Sequence, residues 1–174
     1  MRGTSSLIAS LAALAAVGAL VVAPGATATP ATASATPKCT TSLLDVWLDN
    51  SEGGGTAGSF YYKLAFTNFS SRTCTLRGAP GVVAADVHGH PVGSPAGTTS
   101  GGPTVRLRPG ATATAVLRAV DPGVFTPSEC QPVLAAGLCV KPPGQSAAKF
   151  VPFPLEVCSR VGHSSLEVQS VKAS

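Results

Sequence analysis

Phe60-Tyr61-Tyr62-Lys63-Leu64-Ala65-Phe66-Thr67 is the stretch that decides how this chain is read. Phe60, Tyr62, Leu64 and Phe66 are large and apolar, and Tyr61, Lys63, Ala65 and Thr67 stand between them. A period of two with aromatic content marks a half-buried β-strand, because successive side chains of a strand leave on opposite faces. Upstream, Leu44, Val46 and Leu48 alternate with Asp45, Trp47 and Asp49 in the same way. Gly53-Gly54-Gly55-Thr56-Ala57-Gly58 separates the two runs and reads as a flexible turn or loop.

Downstream the same period recurs. Cys74-Thr75-Leu76 is a short strand that stops at Gly78-Ala79-Pro80-Gly81, and Val82 to Val87 is the next. His88-Gly89-His90-Pro91 turns the chain before Val92, with glycine where a positive φ is needed. Gly93 to Pro103 is polar and glycine-rich and is expected to be a floppy loop. Val105 and Leu107 precede a Pro109-Gly110 turn, and Thr112 to Val120 alternates strictly, with Thr112, Thr114, Val116 and Arg118 on one face. Asp121 to Pro132 reads as a loop, Leu138-Cys139-Val140 as a strand, and Leu166, Val168 and Val171 as parts of the last one. Phe150 to Val157 carries Pro152 and Pro154, which restricts it to a sheet edge or a bulge. About eight short strands with frequent turns predict an all-β fold, a single β-sandwich.

The N-terminus has a different composition. Arg2 precedes the uncharged run from Leu7 to Val22, Pro24-Gly25 breaks it, and Ala26-Thr27-Ala28 offers the small residues of a cleavage site. Residues 1–28 are therefore expected to be a signal peptide and 29–38 an Ala/Thr/Pro linker, with the folded domain at 39–174. The apolar run is short for a membrane span, so no transmembrane anchor is expected after cleavage and the chain is expected to be secreted. Without Arg2 the chain has 11 Lys+Arg against 8 Asp+Glu, a net charge of +3. In the sequence these basic residues are scattered, which speaks against nucleic acid as a partner. Charged residues are 11% of the chain, against a usual ~25%, in keeping with short strands joined by turns.

Five cysteines, Cys39, Cys74, Cys130, Cys139 and Cys158, point to disulfides in an exported chain, and their odd number leaves a thiol over. No Cys-x-x-Cys suggests a redox or zinc site.

The order of motifs resembles a known family. An early cysteine and a Gly-rich loop precede Phe66-Thr67-Asn68. Then follow Cys74-Thr75-Leu76, Gly78-Ala79-Pro80-Gly81-Val82, Asp86-x-x-Gly89 and Leu107-Arg108-Pro109-Gly110. Cys130, Leu138-x-Val140-x-Pro142-Pro143-Gly144 and Cys158 close the series. This is similar to a family of secreted proteins and lipoproteins of actinobacteria known only as a domain of unknown function. The resemblance implies an immunoglobulin-like β-sandwich, two disulfides that map to Cys39–Cys74 and Cys130–Cys158, and no known reaction. Loop-closure entropy for such pairs would contribute about 3.8 and about 3.6 kcal/mol. Cys139 falls at a variable position. Period two turns it away from Leu138 and Val140, so it is the candidate unpaired thiol, either covered by a loop or free to link a dimer. A Cys130–Cys139 bridge that frees Cys158 is the alternative.

Other sites follow from residue type. Asp86, His88 and His90 could hold copper or zinc, with His163 as a further ligand, although a hairpin tip holds side chains loosely. Trp47 and Tyr61 lie on the non-core faces of their strands and could form a flat platform for a glycan or a partner, but burial of Trp47 under the linker or a disulfide is the expectation. No Gly-x-Ser-x-Gly, phosphate loop or nucleophile–base arrangement stands out, so neither enzyme activity nor a cofactor is expected. The functional expectation is a secreted, non-catalytic module for an extracellular or cell-wall ligand, as a monomer or a Cys139-linked dimer. A copper- or zinc-binding protein and a protease inhibitor presenting the Gly93–Pro103 loop are the alternatives.

Overall fold

The computed structural model describes residues 35–174, and at 50–53 the backbone alone. The signal peptide expected at 1–28 and the linker as far as residue 34 lie outside the described residues. The chain is all-β, as its alternation predicts. In order it forms β1 (Leu44–Thr56), β2 (Ser59–Asn68), β3 (Cys74–Arg77), β4 (Gly81–Ala85), β5 (Pro91–Val92) and β6 (Gly97–Thr98). Then come β7 (Thr104–Leu107), β8 (Thr112–Val120), α1 (Pro127–Cys130), β9 (Pro132–Lys141), β10 (Lys149–Cys158), β11 (Leu166–Val168) and β12 (Lys172–Ala173). The two-residue strands β5, β6 and β12 carry too few side chains to show a period, which is why the sequence suggests about eight strands.

Three sheets result. The largest has the order β1-β2-β8-β11-β6, with β12 also on β8; the second is β10-β9-β4-β5; and β3 pairs with β7 in a ribbon. Neighbours are antiparallel except β11 and β6. Buried residues of all three meet in one core: Leu44, Leu64, Phe66 and Leu117 from the first sheet, Val82, Leu138, Val140 and Val157 from the second, Leu76 and Leu107 from the ribbon. Strand β8 is the clearest case of pattern dictating placement, since Ala113, Ala115, Leu117 and Ala119 are buried and the residues between them are half-exposed. Phe60 has the inward phase but is 48% exposed, because it sits beside the β1–β2 turn, past the end of the core.

Four local expectations are corrected. Gly54, Gly55 and Thr56 are not a loop. They pair with Tyr61, Phe60 and Ser59, so the hairpin turn shrinks to Ala57-Gly58, with Gly58 at φ 75°, and the register slips between Asp49 and Gly54. Backbone hydrogen bonds to β2 outweigh glycine's poor strand propensity here. The Asp121–Pro132 segment contains a 3-10 turn at Pro122–Val124 and the short helix α1. Thr126 and Glu129 cap α1 reciprocally and Pro127 occupies its first turn, a signature present in the sequence as Thr-Pro-Ser-Glu. Ordered pairing begins before Cys39, for the Thr75 N–H donates to the Pro37 carbonyl and Lys38 bridges Thr75. The Gly93–Pro103 segment is pinned. It contributes β6, and the Ala96 and Thr99 N–H groups donate to the Val82 and Val168 carbonyls. Its glycines serve close approach: at Gly93, φ 71°, a side chain would meet the Cys158 carbonyl, and at Gly102, φ 117°, the Ser170 Cβ at 2.6 Å.

Strand β10 is an edge strand, and its register shifts between Pro152 and Leu155, so both placements that proline permits are used together.

Candidate functional site

The side chains that β8 does not bury look outward with those of its neighbours. In register across this face, Tyr61 of β2 stands opposite Arg118 of β8, and Arg118 opposite Glu167 of β11. The Arg118 Nη1 donates to Glu167 Oε2 at 3.0 Å, and its Nε donates to Ser59 Oγ at 3.1 Å. That carboxylate bond, with a lesser contribution from Tyr61, holds the Arg118 guanidinium above its already high range. Here a groove of about 480 Å³ opens, lined by Tyr61, Thr98, Thr99, Arg118, Glu167 and Gln169. Its volume falls within the range of small-ligand clefts.

The groove offers one aromatic face, a guanidinium fixed by two bonds, and carboxylate, amide and hydroxyl groups. These groups can donate and accept hydrogen bonds, and Tyr61 offers a ring face. Ser59, in contact with Arg118, is 3% exposed, and its hydroxyl accepts from a group that takes no proton at neutral pH.

Trp47 corrects the expectation of burial, being 42% exposed. It faces Ala65 across the strand pair, and Ala65, although on the outer face, is only 1% exposed. A small alanine opposite Trp47 leaves space for a large side chain on this face of the sheet. Strands β1 and β2 are neighbours, and Trp47 and Tyr61 share one face. Lys63, opposite Asp49, stands between their levels, and Ala65 lies four positions along β2 from Tyr61, about 13 Å. The two rings are therefore two separate points on one surface and not a joined platform.

The Asp86–His90 segment is a closed turn. Asp86 Oδ1 accepts the His88 and His90 N–H groups at 2.8 and 2.9 Å, and Asp86 Oδ2 lies 3.2 Å from His90 Nδ1. Those bonds, the His90 N–H foremost, hold the Asp86 carboxyl below its ordinary range. The two imidazoles are 5.9 Å apart, centroid to centroid. Among the described residues no group of three or more His, Cys, Asp or Glu could hold a metal ion. His163 lies instead in the turn after β10, its N–H on the Arg160 carbonyl. Asp86 thus shapes the hairpin, and the structure does not bring the four residues together as a ligand set.

The structure joins Cys39 to Cys74 and Cys130 to Cys158, the pairs that the family resemblance implies, and all four are buried. The first bond ties the chain ahead of β1 to β3, and the second ties α1 to the end of β10. Cys139 is free and half-buried, between the fully buried Leu138 and Val140. Its Sγ lies 3.5 Å from the Gly89 carbonyl, so the Asp86–His90 turn rests on the thiol.

Sequence reasoning put Tyr61 on a non-core face and Arg118 on one face of its strand, without deciding which face is buried, and did not bring Glu167 to them, across 49 residues from Arg118. The available signal was Glu167 alone between Leu166 and Val168, which gives it the outward phase; strand order, which the alternation does not encode, supplies the rest.

No curated protein and no solved structure matches the chain. The family model described as a domain of unknown function (DUF4232) matches residues 39–172, from the first disulfide cysteine to the last strand, and the chain belongs to that family.

Proposed function

We propose that this protein is an exported, non-catalytic binding module, an immunoglobulin-like sandwich that presents the outer face of its six-stranded sheet to an extracellular or cell-wall ligand. The observation that carries this reading is the groove beside Tyr61, where Arg118 is held between Glu167 and Ser59 at 3.0 and 3.1 Å. A preorganised polar group next to a half-buried aromatic side chain that lines the groove suits a recognition surface for a polar ligand such as a glycan, since little side-chain freedom is lost on binding. Two buried disulfides support export, because such bonds persist in oxidising compartments. The N-terminal sequence supports it too, with Arg2, an uncharged apolar run and Ala26-Thr27-Ala28.

The test is amide chemical-shift mapping with soluble fragments of digested cell wall. Shifts centred on Tyr61, Arg118, Glu167 and Gln169, with affinity lowered at least about ten-fold in Tyr61→Ala, are expected. Turnover of the fragments, or shifts confined to another face, would contradict the reading.

A further inference from the structure

The fold gathers basic residues that the sequence scatters. Segments 37–41, 72–78, 103–110 and 141–148 carry Lys38, Arg72, Arg77, Arg106, Arg108 and Lys141, and no Asp or Glu. These segments meet around the β3–β7 ribbon. Thr75 pairs with Arg106 and Arg77 with Thr104, while Cys74, Leu76, Val105 and Leu107 point into the core. Arg77 and Arg106 are therefore diagonal neighbours on the outward face, ~7–8 Å apart along the backbone. Lys38 joins them through its bridge to Thr75. Beside them lies a groove of about 290 Å³ lined by Lys38, Thr75, Arg77, Thr104, Pro143 and Gly144. Among the described residues, the side chains of Lys38, Arg77 and Arg106 make no hydrogen bond or ion pair.

We propose that this groove binds the phosphate groups of a base-free polyanion. Like charges set side by side without a carboxylate repel one another, and a concave surface focuses the field they make, so an anion that enters relieves the repulsion. Guanidinium groups fit phosphate oxygens in two-pronged fashion, and the Thr104 hydroxyl can donate a further bond. No aromatic side chain lines the groove, so it offers bases nothing to stack on, which separates its ligand from single-stranded nucleic acid. The site lies on the ribbon and not at Tyr61, and it stands whether or not the outer-face groove binds a ligand.

The experiment is calorimetric titration of the purified protein with inorganic polyphosphate, and with a single-stranded oligonucleotide of equal charge, at several salt concentrations. Polyphosphate is expected to bind at low salt, with log affinity falling against log salt at a slope of about −2, as about three phosphate contacts require. Arg77→Gln with Arg106→Gln is expected to weaken binding at least about ten-fold and to flatten the slope, with strand content and melting unchanged because both side chains are exposed. Arg160→Gln, in the turn after β10, is expected to keep the wild-type affinity. The inference is overturned by absence of binding at low salt, by an equal loss in Arg160→Gln, by unchanged affinity in the double variant, or by tighter binding of the oligonucleotide.

Discussion

Asn68 is a buried side chain with all of its bonding spent inside the protein. It is fully buried; its Nδ2 donates to the Arg72 and Leu107 carbonyls at 2.8 and 3.0 Å, and its Oδ1 accepts the Ser70 N–H and hydroxyl at 2.9 and 2.7 Å. One amide thereby closes the turn from β2 to β3 and fastens it to β7. Asn68-Phe69-Ser70 has the form of a glycosylation acceptor, yet the nitrogen that would be modified is spent on two carbonyls. Asn68→Ala leaves the Leu107 carbonyl buried without that donor and is expected to lower stability by about 2 kcal/mol, read from denaturant unfolding. A loss within error would show that the amide is replaceable by water. Nothing in the residues flanking Asn68 announces this role, because its partners are set by how β3 and β7 lie against it.

Elements were legible where burial has one side. Strand β8 alternates so strictly that its two faces, with Arg118 on one of them, can be read from the letters alone, and Pro152 and Pro154 restrict β10 to an edge or a bulge. The far end of β1 was not legible, since Gly54 and Gly55 hold their places by backbone pairing that leaves no side-chain signal. Within β9, the same limit applies to Gly137, where an added Cβ would meet the Phe150 ring at 2.8 Å, because the reason for that glycine lies on the neighbouring strand. The β4–β5 hairpin, read from Gly89 and Pro91, carries a pH dependence. The Asp86 carboxyl in the folded state titrates below its ordinary value of 3.8 because two N–H groups and His90 favour the charged form. A carboxyl lowered on folding adds stability above its unfolded pKa, and that stability disappears as pH falls through the lowered, folded value. Carbon-detected NMR titration is expected to place the Asp86 midpoint below 3.8, and Asp86→Asn to remove this part of the acid dependence of Tm. A midpoint at or above 3.8 would mean that the turn does not hold its carboxylate in solution.

Across the whole molecule, charge and covalent bonding are distributed unevenly in ways the sequence only half discloses. Period and turn chemistry gave the all-β class and the outward phase of Tyr61, while burial of Ala113, Ala115, Leu117 and Ala119 turns Arg118 outward. Strand order decided that Glu167 reaches Arg118 and that Arg77, Arg106 and Lys38 converge, and strand order depends on contacts distant in sequence. The cysteines bridge that distance directly, linking positions 35 and 28 residues apart. Loop-closure entropy assigns these links about 3.8 and about 3.6 kcal/mol. Together they rival the ~5–15 kcal/mol that holds a domain of this size folded. The central claim is that these two bonds brace the sheets that meet in the core. Its most direct test is circular dichroism melting of the purified protein, oxidised and after full reduction and alkylation. The oxidised form is expected to melt cooperatively with a strand-rich spectrum, and the reduced form to melt at least about 15 °C lower or to lose its cooperative transition. The same Tm and spectrum in both forms would contradict it.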